Sequence, residues 1–395
     1  MLKSFKYKLL PTLDQKVLFN KHFGCSRFVF NYFLNERKEE YLQNKKSLNF
    51  YDNAAALTTL KKSEEFSWLK EVNSQTLQTT LKNLDGAYNN FFKFNKGFPK
   101  FKSKKGKNSF TVPQYVKVVR SSLVLPKFKE PIKFIEHRKL EGVIKYCTIS
   151  KTSTEEYFVS ILVETEHNPF KKTGRVVGID LGIKDFVITS DNKKYKNNRY
   201  TKTYQRRLKR NQQDLSRKIK GSNNYSKQKL KLAKTYKKIT NSRLDNLHKV
   251  STELIKNYDI VILEDLNVKG MVKNPKLAKH ISDVSWSHFT TILEYKAKWN
   301  HKRIVKVGRF FPSSKTCNVC GHIHQSMTLS IREWKCPNCQ TVLDRDINAA
   351  KNILAEGMRI LSDGTSDYRS GEELRPGLPG TLYEASKVLE EILEA

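Results

Sequence analysis

Polar and apolar positions change period several times along the chain, and each change marks an element. Residues 1 to 10 (MLKSFKYKLL) alternate loosely, as a strand does. From Asp14 to about Phe94 the period is helical. Phe23, Phe30 and Phe33 recur at near-helical spacing, as do Leu77, Leu81, Leu84 and Tyr88, with Asn73 and Ser74 as caps for the second run. The plain meaning of that aromatic-rich stretch is a helical core. Between 110 and 168, short β-like runs follow at Tyr115–Val119, Leu123–Leu125, Ile132–Ile135, Val143–Thr148 and Tyr157–Val163. Turn residues separate them, the pattern of a small, OB-like β-barrel. Arg175–Leu181 and Phe186–Thr189 read as a hairpin around Gly182-Ile183-Lys184-Asp185. Thr201 to Val250 is helical, and Gly221-Ser222-Asn223-Asn224 breaks it in two. Ile260–Leu263 is continuously apolar, like a strand buried on both faces. An amphipathic helix over Trp286–Trp299, a strand over Arg303–Phe310 and a helix over Ile347–Met358 complete the pattern. From Leu361 onward Gly, Pro and Ser accumulate, which predicts a flexible tail with a weak acidic helix at its end.

Charge changes this picture most. The 395 residues hold 74 Lys+Arg against 39 Asp+Glu, a formal net charge of +35. So much like charge repels itself in a compact fold, and a polyanionic partner accounts for it. The excess is local. Lys93 to Lys107 (KFNKGFPKFKSKKGK) holds seven lysines and no acid, with Phe94, Phe98 and Phe101 interleaved. Lysines such as Lys100 and Lys102 can neutralise phosphates while the aromatics offer stacking faces; a solvated basic loop is the alternative. Thr201–Val250 carries sixteen Lys/Arg, Arg206, Arg207 and Arg210 among them, against Asp214 and Asp245. That one-sided charge suits a nucleic-acid rail rather than an ordinary solvated helix. Beyond Leu361 the balance reverses to eight acids against three bases. No apolar run is long enough to span a membrane, and the N-terminus lacks the apolar core of a secretory signal. The expectation is a cytoplasmic protein.

Four of the six cysteines spell C-x2-C-x15-C-x2-C at Cys317, Cys320, Cys336 and Cys339. Two CxxC turns supply two thiolates each to a tetrahedral Zn²⁺, which leaves no open position, so the zinc is structural. His322 and His324 are surplus to that set, and Cys25 and Cys147 read as small core residues.

Three acids stand out from their surroundings. Asp180 interrupts the apolar run VVGIDLGIKDF, Glu264 ends YDIVILED, and Asp346 opens the helix in DRDINAAKNIL. Each has a plain alternative: a turn acceptor for Asp180, a surface strand end for Glu264, a helix N-cap for Asp346. Together they form a set of hard oxygen donors at strand or helix ends of one α/β unit. Two Mg²⁺ ions about 4 Å apart need such shared carboxylates to hydrolyse a phosphodiester.

GIDLGIKDF, ILEDL and the cysteine ribbon followed by DRDINAAKNIL resemble the three RuvC segments of the TnpB (OrfB) family, transposon-encoded relatives of type V CRISPR effectors. CSRFVFNYFLNER, SWLKEVNSQTLQTTLKNLDGAYNNFF, GFPKFKSKK and FFPSSKTCNVCG extend the resemblance over nearly everything before the tail. It implies an α/β RNase H-like (RuvC) nuclease core with an inserted zinc ribbon, an α-helical recognition lobe and a small OB-like β-barrel wedge domain. The corresponding division is 1–10 first wedge strand, 11–95 recognition lobe, 96–170 wedge, 171–312 nuclease segments I and II, 313–342 ribbon, 343–360 segment III and 361–395 tail. It further implies a guide RNA from the transposon end and cleavage of double-stranded DNA beside a short flanking motif. The catalytic, Mg²⁺-binding acids would be Asp180, Glu264 and Asp346, rather than the neighbouring Asp265 or Asp344. Tyr51, Gln75, Gln78 and Thr111 would lie where the family reads the flanking motif. Guidance by RNA rests on the resemblance alone; a monomer is expected. Two other functions fit the same residues: a transposase acting on its own element's ends, and a nuclease-inactive, RNA-guided repressor.

Overall fold

The computed structural model describes residues 1–325, 327–328 and 331–363. The expected tail lies outside them from residue 364 onward. The chain divides after His167 into two units.

The first unit contains β1 (Leu2–Leu9), α1 (Leu13–Asn44), α2 (Phe50–Leu60), α3 (Ser74–Phe94), β2 (Asn108–Val112), β3 (Lys117–Val119), β4 (Ser122–Val124), β5 (Ile132–Ile135), β6 (Val143–Lys151) and β7 (Tyr157–Glu164). The strands form an antiparallel seven-stranded sheet in the order β2-β6-β7-β1-β5-β4-β3. Period-2 alternation sends Phe5, Tyr7 and Leu9 of β1 and Tyr157, Val159, Ile161 and Val163 of β7 into one core. Phe19 and Phe23, from the start of α1, join them there. Further along α1, Val29, Phe30, Phe33 and Leu34 enter a second core with Leu57, Leu77, Leu81 and Leu84 of α2 and α3. One helix therefore staples the sheet to the helical layer. Cys25 and Cys147 are small buried residues of the two cores, as expected.

The helical pattern from Asp14 to Phe94 is divided by caps. Thr12, Asn49 and Asn73 each accept backbone N–H groups at a helix start. The strand expected over Tyr115–Val119 begins only at Lys117, because Tyr115 adopts a left-handed φ of 60°. Asn108–Val112 is a strand that its polar start conceals; it gains order by pairing along β6.

The second unit contains β8 (Val176–Asp180), β9 (Asp185–Thr189), β10 (Lys194–Lys196), α4 (Tyr200–Thr203), α5 (Gln205–Ser216), α6 (Asn223–Asn257), β11 (Ile260–Glu264), α7 (Val268–Met271), α8 (Pro275–Val284), α9 (Trp286–Trp299), β12 (Arg303–Val307), β13 (Glu333–Lys335), β14 (Val342–Asp344) and α10 (Arg345–Ser362). Its main sheet runs β10-β9-β8-β11-β12, with β8, β11 and β12 parallel and β8–β9 the expected hairpin. Both faces are covered. Val177, Ile179, Val261 and Leu263 face α6 and α9, while Ile260, Ile262, Val305 and Val307 face α10. This explains the unbroken apolar run of β11.

β12 stops at Val307, short of the Phe310 expected, because the chain turns away there. Arg309 hydrogen-bonds the backbone carbonyl of Asp265 and pairs with its carboxylate at 2.8 Å. Helix α10 extends past the expected Met358 to Ser362, since Ile360 and Leu361 are buried under the sheet.

Gly178 is required by how closely α10 crosses β8. A Cβ there would lie 2.3 Å from the carbonyl oxygen of Ala350 and 2.6 Å from the nitrogen of Leu354, both backbone atoms that cannot step aside. Gly178→Val is expected to destabilise this unit by about 3 kcal/mol, the upper range for overpacking. Urea denaturation measures it; an unshifted midpoint would contradict the close crossing. Among the described residues, no helix is long and apolar enough to cross a membrane.

Candidate functional site

The parallel register aligns Leu263 with Ile179, so the next residues, Glu264 and Asp180, end adjacent strands side by side. Neighbouring strands lie about 4.8 Å apart, which brings two carboxylates close together at the carboxyl edge of the sheet. Helix α10, crossing β8, brings Asp346 in its first turn toward the same edge.

The electrostatics record this convergence. The Asp180 carboxyl is pushed up to about 7, first by burial, then by the carboxylates of Glu264 and Asp346; the Arg345 guanidinium and the Leu181 N–H pull the other way. Burial also raises Glu264, opposed by the Ser313 hydroxyl, which donates to its Oε1 at 2.5 Å. Asp346 is held by guanidinium groups: Arg345 at 3.1 Å and Arg332 at 3.3 Å. Its plain alternative role, the N-cap of α10, belongs to Asp344, whose side chain accepts the N–H groups of Asp346 and Ile347. Asp265, engaged with Arg309, stands apart from the set.

Do these groups fit divalent ions? The donors are hard oxygens, as Mg²⁺ requires, and desolvated like charges stand together with too little positive charge to balance them. By chemical type the donors fit Mg²⁺; among the described residues their oxygens do not form the ready-made cluster that the four thiols do.

The ribbon is tighter. Sγ atoms of Cys317, Cys320, Cys336 and Cys339 all lie within 4.8 Å of one another, with Cys317–Cys339 and Cys320–Cys336 at 3.6 Å. Tetrahedral Zn–S bonds of about 2.3 Å place sulfurs roughly 3.8 Å apart, so the four thiols can hold zinc. Each CxxC forms the same knuckle: Cys317 N–H donates to His322 O and Cys336 N–H to Thr341 O. His322 serves the knuckle through its backbone, accepting from the Cys317 N–H and hydrogen-bonding the Cys320 sulfur, and His324 packs edge-on against Trp334.

The ribbon's root is tied to the site by residues that the motif reading passed over. Asn352 Nδ2 donates to the carbonyls of Ser313 and Thr316, and Asn348 Nδ2 to that of Thr316. Both are nearly fully buried. Ser313, whose hydroxyl holds Glu264, is thus itself held by α10. Two amides four residues apart on the apolar face of DRDINAAKNIL were the readable signal.

The expected nucleic-acid contacts fall in several places. Arg206, Arg207 and Arg210 line one groove with Asn211, Gln228 and Lys231 between α5 and α6. Tyr51 is 79% exposed at the start of α2. Gln78 is exposed on α3, and Gln75 donates to Gln114 at 3.0 Å. Thr111 on β2 shares a hydrogen bond with Thr148 at 3.0 Å. Lys100 is exposed, whereas the Lys102 ammonium lies 3.6 Å from the centroid of the Phe30 ring.

Comparisons with known proteins agree with these features. Residues 160–275 match the family "Probable transposase" (OrfB_IS605), residues 286–353 the "Cas12f1-like, TNB domain", and residues 1–46 a "Helix-turn-helix domain" of the OrfB group. The last stretch folds here as β1 and the single unbroken helix α1. The Cas12f1 chain of a cryo-EM complex with sgRNA and target DNA superposes with a TM-score of 0.54 at 15% identity, covering 89% of this chain and 98% of that one. In fold, this is a TnpB/Cas12-type protein. Two curated relatives span nearly the whole sequence. A "Putative RNA-guided DNA endonuclease" of Streptomyces pristinaespiralis is 38% identical over 98% of this chain and 96% of its own. InsQ of Escherichia coli K12, given the same description, is 33% identical over 95% and 96%. The chain belongs to the TnpB (OrfB) family.

Proposed function

We propose that this chain is an RNA-guided DNA endonuclease of a transposable element, which cuts double-stranded DNA beside a short flanking motif. What supports the chemistry is that Asp180 and Glu264 close adjacent parallel strands, with the carboxylates of Glu264 and Asp346 near enough to raise that of Asp180. The names of the two relatives above support the guidance by RNA.

In this reading the sheet β8–β12 with α6, α9 and α10 is a RuvC-type, RNase H-like core, and residues 313–342 are an inserted structural zinc ribbon. The helices of the first unit form a recognition lobe and its antiparallel sheet an OB-like wedge. Bound Mg²⁺ would supply activation of the attacking water and neutralisation of the leaving 3′ oxygen. Asp180, Glu264 and Asp346 are the protein's share of that site. Ser313 fixes the rotamer of Glu264. Arg345 and Arg332 balance the charge of Asp346 and would have to yield to a bound cation. The basic groove between α5 and α6 binds nucleic-acid backbone, and base pairing with the guide reads the sequence.

The family description "Probable transposase" favours a second reading, strand transfer at the element's own ends. Sequencing the RNA that co-purifies with the protein separates the two. A stoichiometric RNA from the element's end, together with Mg²⁺-dependent cutting of a plasmid matched to that RNA, is expected. Purified protein free of RNA that cuts or joins element ends would overturn the proposal. Protection of the plasmid without cutting would leave only guided binding.

A further inference from the structure

The first unit carries a row of phenylalanines that its cores do not use. Phe92 is 69% exposed, Phe94 67%, Phe98 44% and Phe101 56%. Single exposed apolar residues are ordinary, but four aromatic rings within ten residues of chain are not. They lie at the end of α3 and in the segment after it, where seven lysines and no acid fall between Lys93 and Lys107.

This segment is anchored. Asn31 on α1 pairs with the backbone of Lys102 in both directions: its Nδ2 donates to the carbonyl at 2.9 Å, and its Oδ1 accepts the N–H at 2.7 Å. The Lys102 ammonium covers Phe30. Phe98 stands edge-on to Tyr88 and Phe91, with centroids 5.6 and 5.4 Å away, and Phe92 lies nearly parallel to Tyr88. Phe92 and Phe98, held in this way, present their faces at little further entropic cost, which is what a stacking surface needs, and Phe101 directly precedes the anchored Lys102.

We propose that Phe92, Phe94, Phe98 and Phe101 form a stacking surface for unpaired bases of DNA, specifically the strand displaced when a guide pairs with its complement. The inference rests on the RNA-guided reading above. The partner is a polyanion because of the lysines, and it is single-stranded because a duplex has no free base faces to offer. DNA is favoured over the guide itself because rings and ammonium groups dominate this surface, with Asn95 the single side-chain amide between Lys93 and Lys107. Rings and ammonium groups accept any base, whereas the constant part of a guide would repay readers of base edges. A displaced strand changes with every target, and a sequence-tolerant surface suits it.

The test uses the full-length protein with its co-purified RNA and two fluorescein-labelled 20-mers not complementary to the guide. One is oligo-dT; the other is an abasic deoxyribose-phosphate chain of equal charge. Oligo-dT is expected to bind at least tenfold more tightly. The triple variant Phe92→Leu, Phe94→Leu, Phe101→Leu keeps apolar bulk at exposed positions and should reduce oligo-dT affinity to the abasic level, leaving abasic affinity and the melting temperature unchanged. Equal affinity for the two chains in the wild type overturns the proposal, and that comparison needs no variant. Unaltered oligo-dT binding in the triple variant also overturns it. Loss of co-purified RNA in the variant would assign the rings to the guide and sink the DNA assignment. Failure of guided cleavage shows instead in the matched-plasmid assay, so the two failures are distinguishable.

Discussion

Asp180→Asn is expected to lower DNA cleavage by about a thousandfold or more, while the amount of bound RNA stays the same. The variant keeps the shape of the side chain and removes its charge. Divalent ions contribute several kcal/mol of transition-state charge stabilisation, and about 4 kcal/mol corresponds to a factor of roughly a thousand. A second consequence follows from the same geometry with the opposite sign. In metal-free protein, Asp180 is desolvated beside Glu264 and Asp346, so its charge is a cost to the fold. Removing it should raise the melting temperature in EDTA by several degrees, at roughly 2–4 °C per kcal/mol for a unit of this size. Together the outcomes are diagnostic: a merely structural residue would lose stability on substitution, and a ligand gains it. Normal cleavage by Asp180→Asn would remove the residue from the site, and a lower melting temperature in EDTA would contradict the repulsion. Single-turnover cleavage, RNA quantification and calorimetry supply the three readouts.

Cys336→Ser should have the next largest effect, and on a different observable. Metal analysis is expected to fall from one zinc per chain to nearly none, because three thiolates and a hydroxyl bind far more weakly than four thiolates. The damage should spread beyond the ribbon. Ser313 lies at its root, held by Asn352, and donates to Glu264. Loss of an outer partner of a metal ligand costs about ten- to a hundredfold in affinity or activity, and cleavage should fall by that order. Ser313→Ala then provides the control: it should lower cleavage comparably with full zinc content. Unchanged zinc in Cys336→Ser would refute the four-thiol site, and unchanged cleavage without zinc would sever the ribbon from the chemistry.

Legibility from sequence varied with how local each signal was. The cysteine spacing defined its cluster because two tight turns fix most of the geometry by themselves. The β8–β9 hairpin and the two-sided burial of β11 were equally readable, since alternation and unbroken apolarity report burial directly. Asp180 and Glu264 were conspicuous as charges closing apolar strands. Asp346 was harder, because an acid at a helix start has an ordinary explanation; the structure gives that ordinary role to Asp344 two residues earlier. Ser313 was invisible, as its role depends on a partner 49 positions away. Gly178 looked like any strand glycine until α10 was placed across it. The strand Asn108–Val112 likewise takes its order from β6 rather than from its own residues.

The order of the acids along the chain has a consequence for the protein during its own synthesis. Asp180 and Glu264 sit on central strands, but the third acid arrives only with the last helix of the sheet, after the ribbon. At ordinary translation speeds the gap between the second and third acids lasts on the order of ten seconds. In the proposed reading, the nascent polypeptide would throughout that interval display its lysine- and arginine-rich helices, ready for nucleic acid, while lacking one of the three acids needed to cut. Capture would then precede the capacity for damage, simply because of where one aspartate falls in the reading frame.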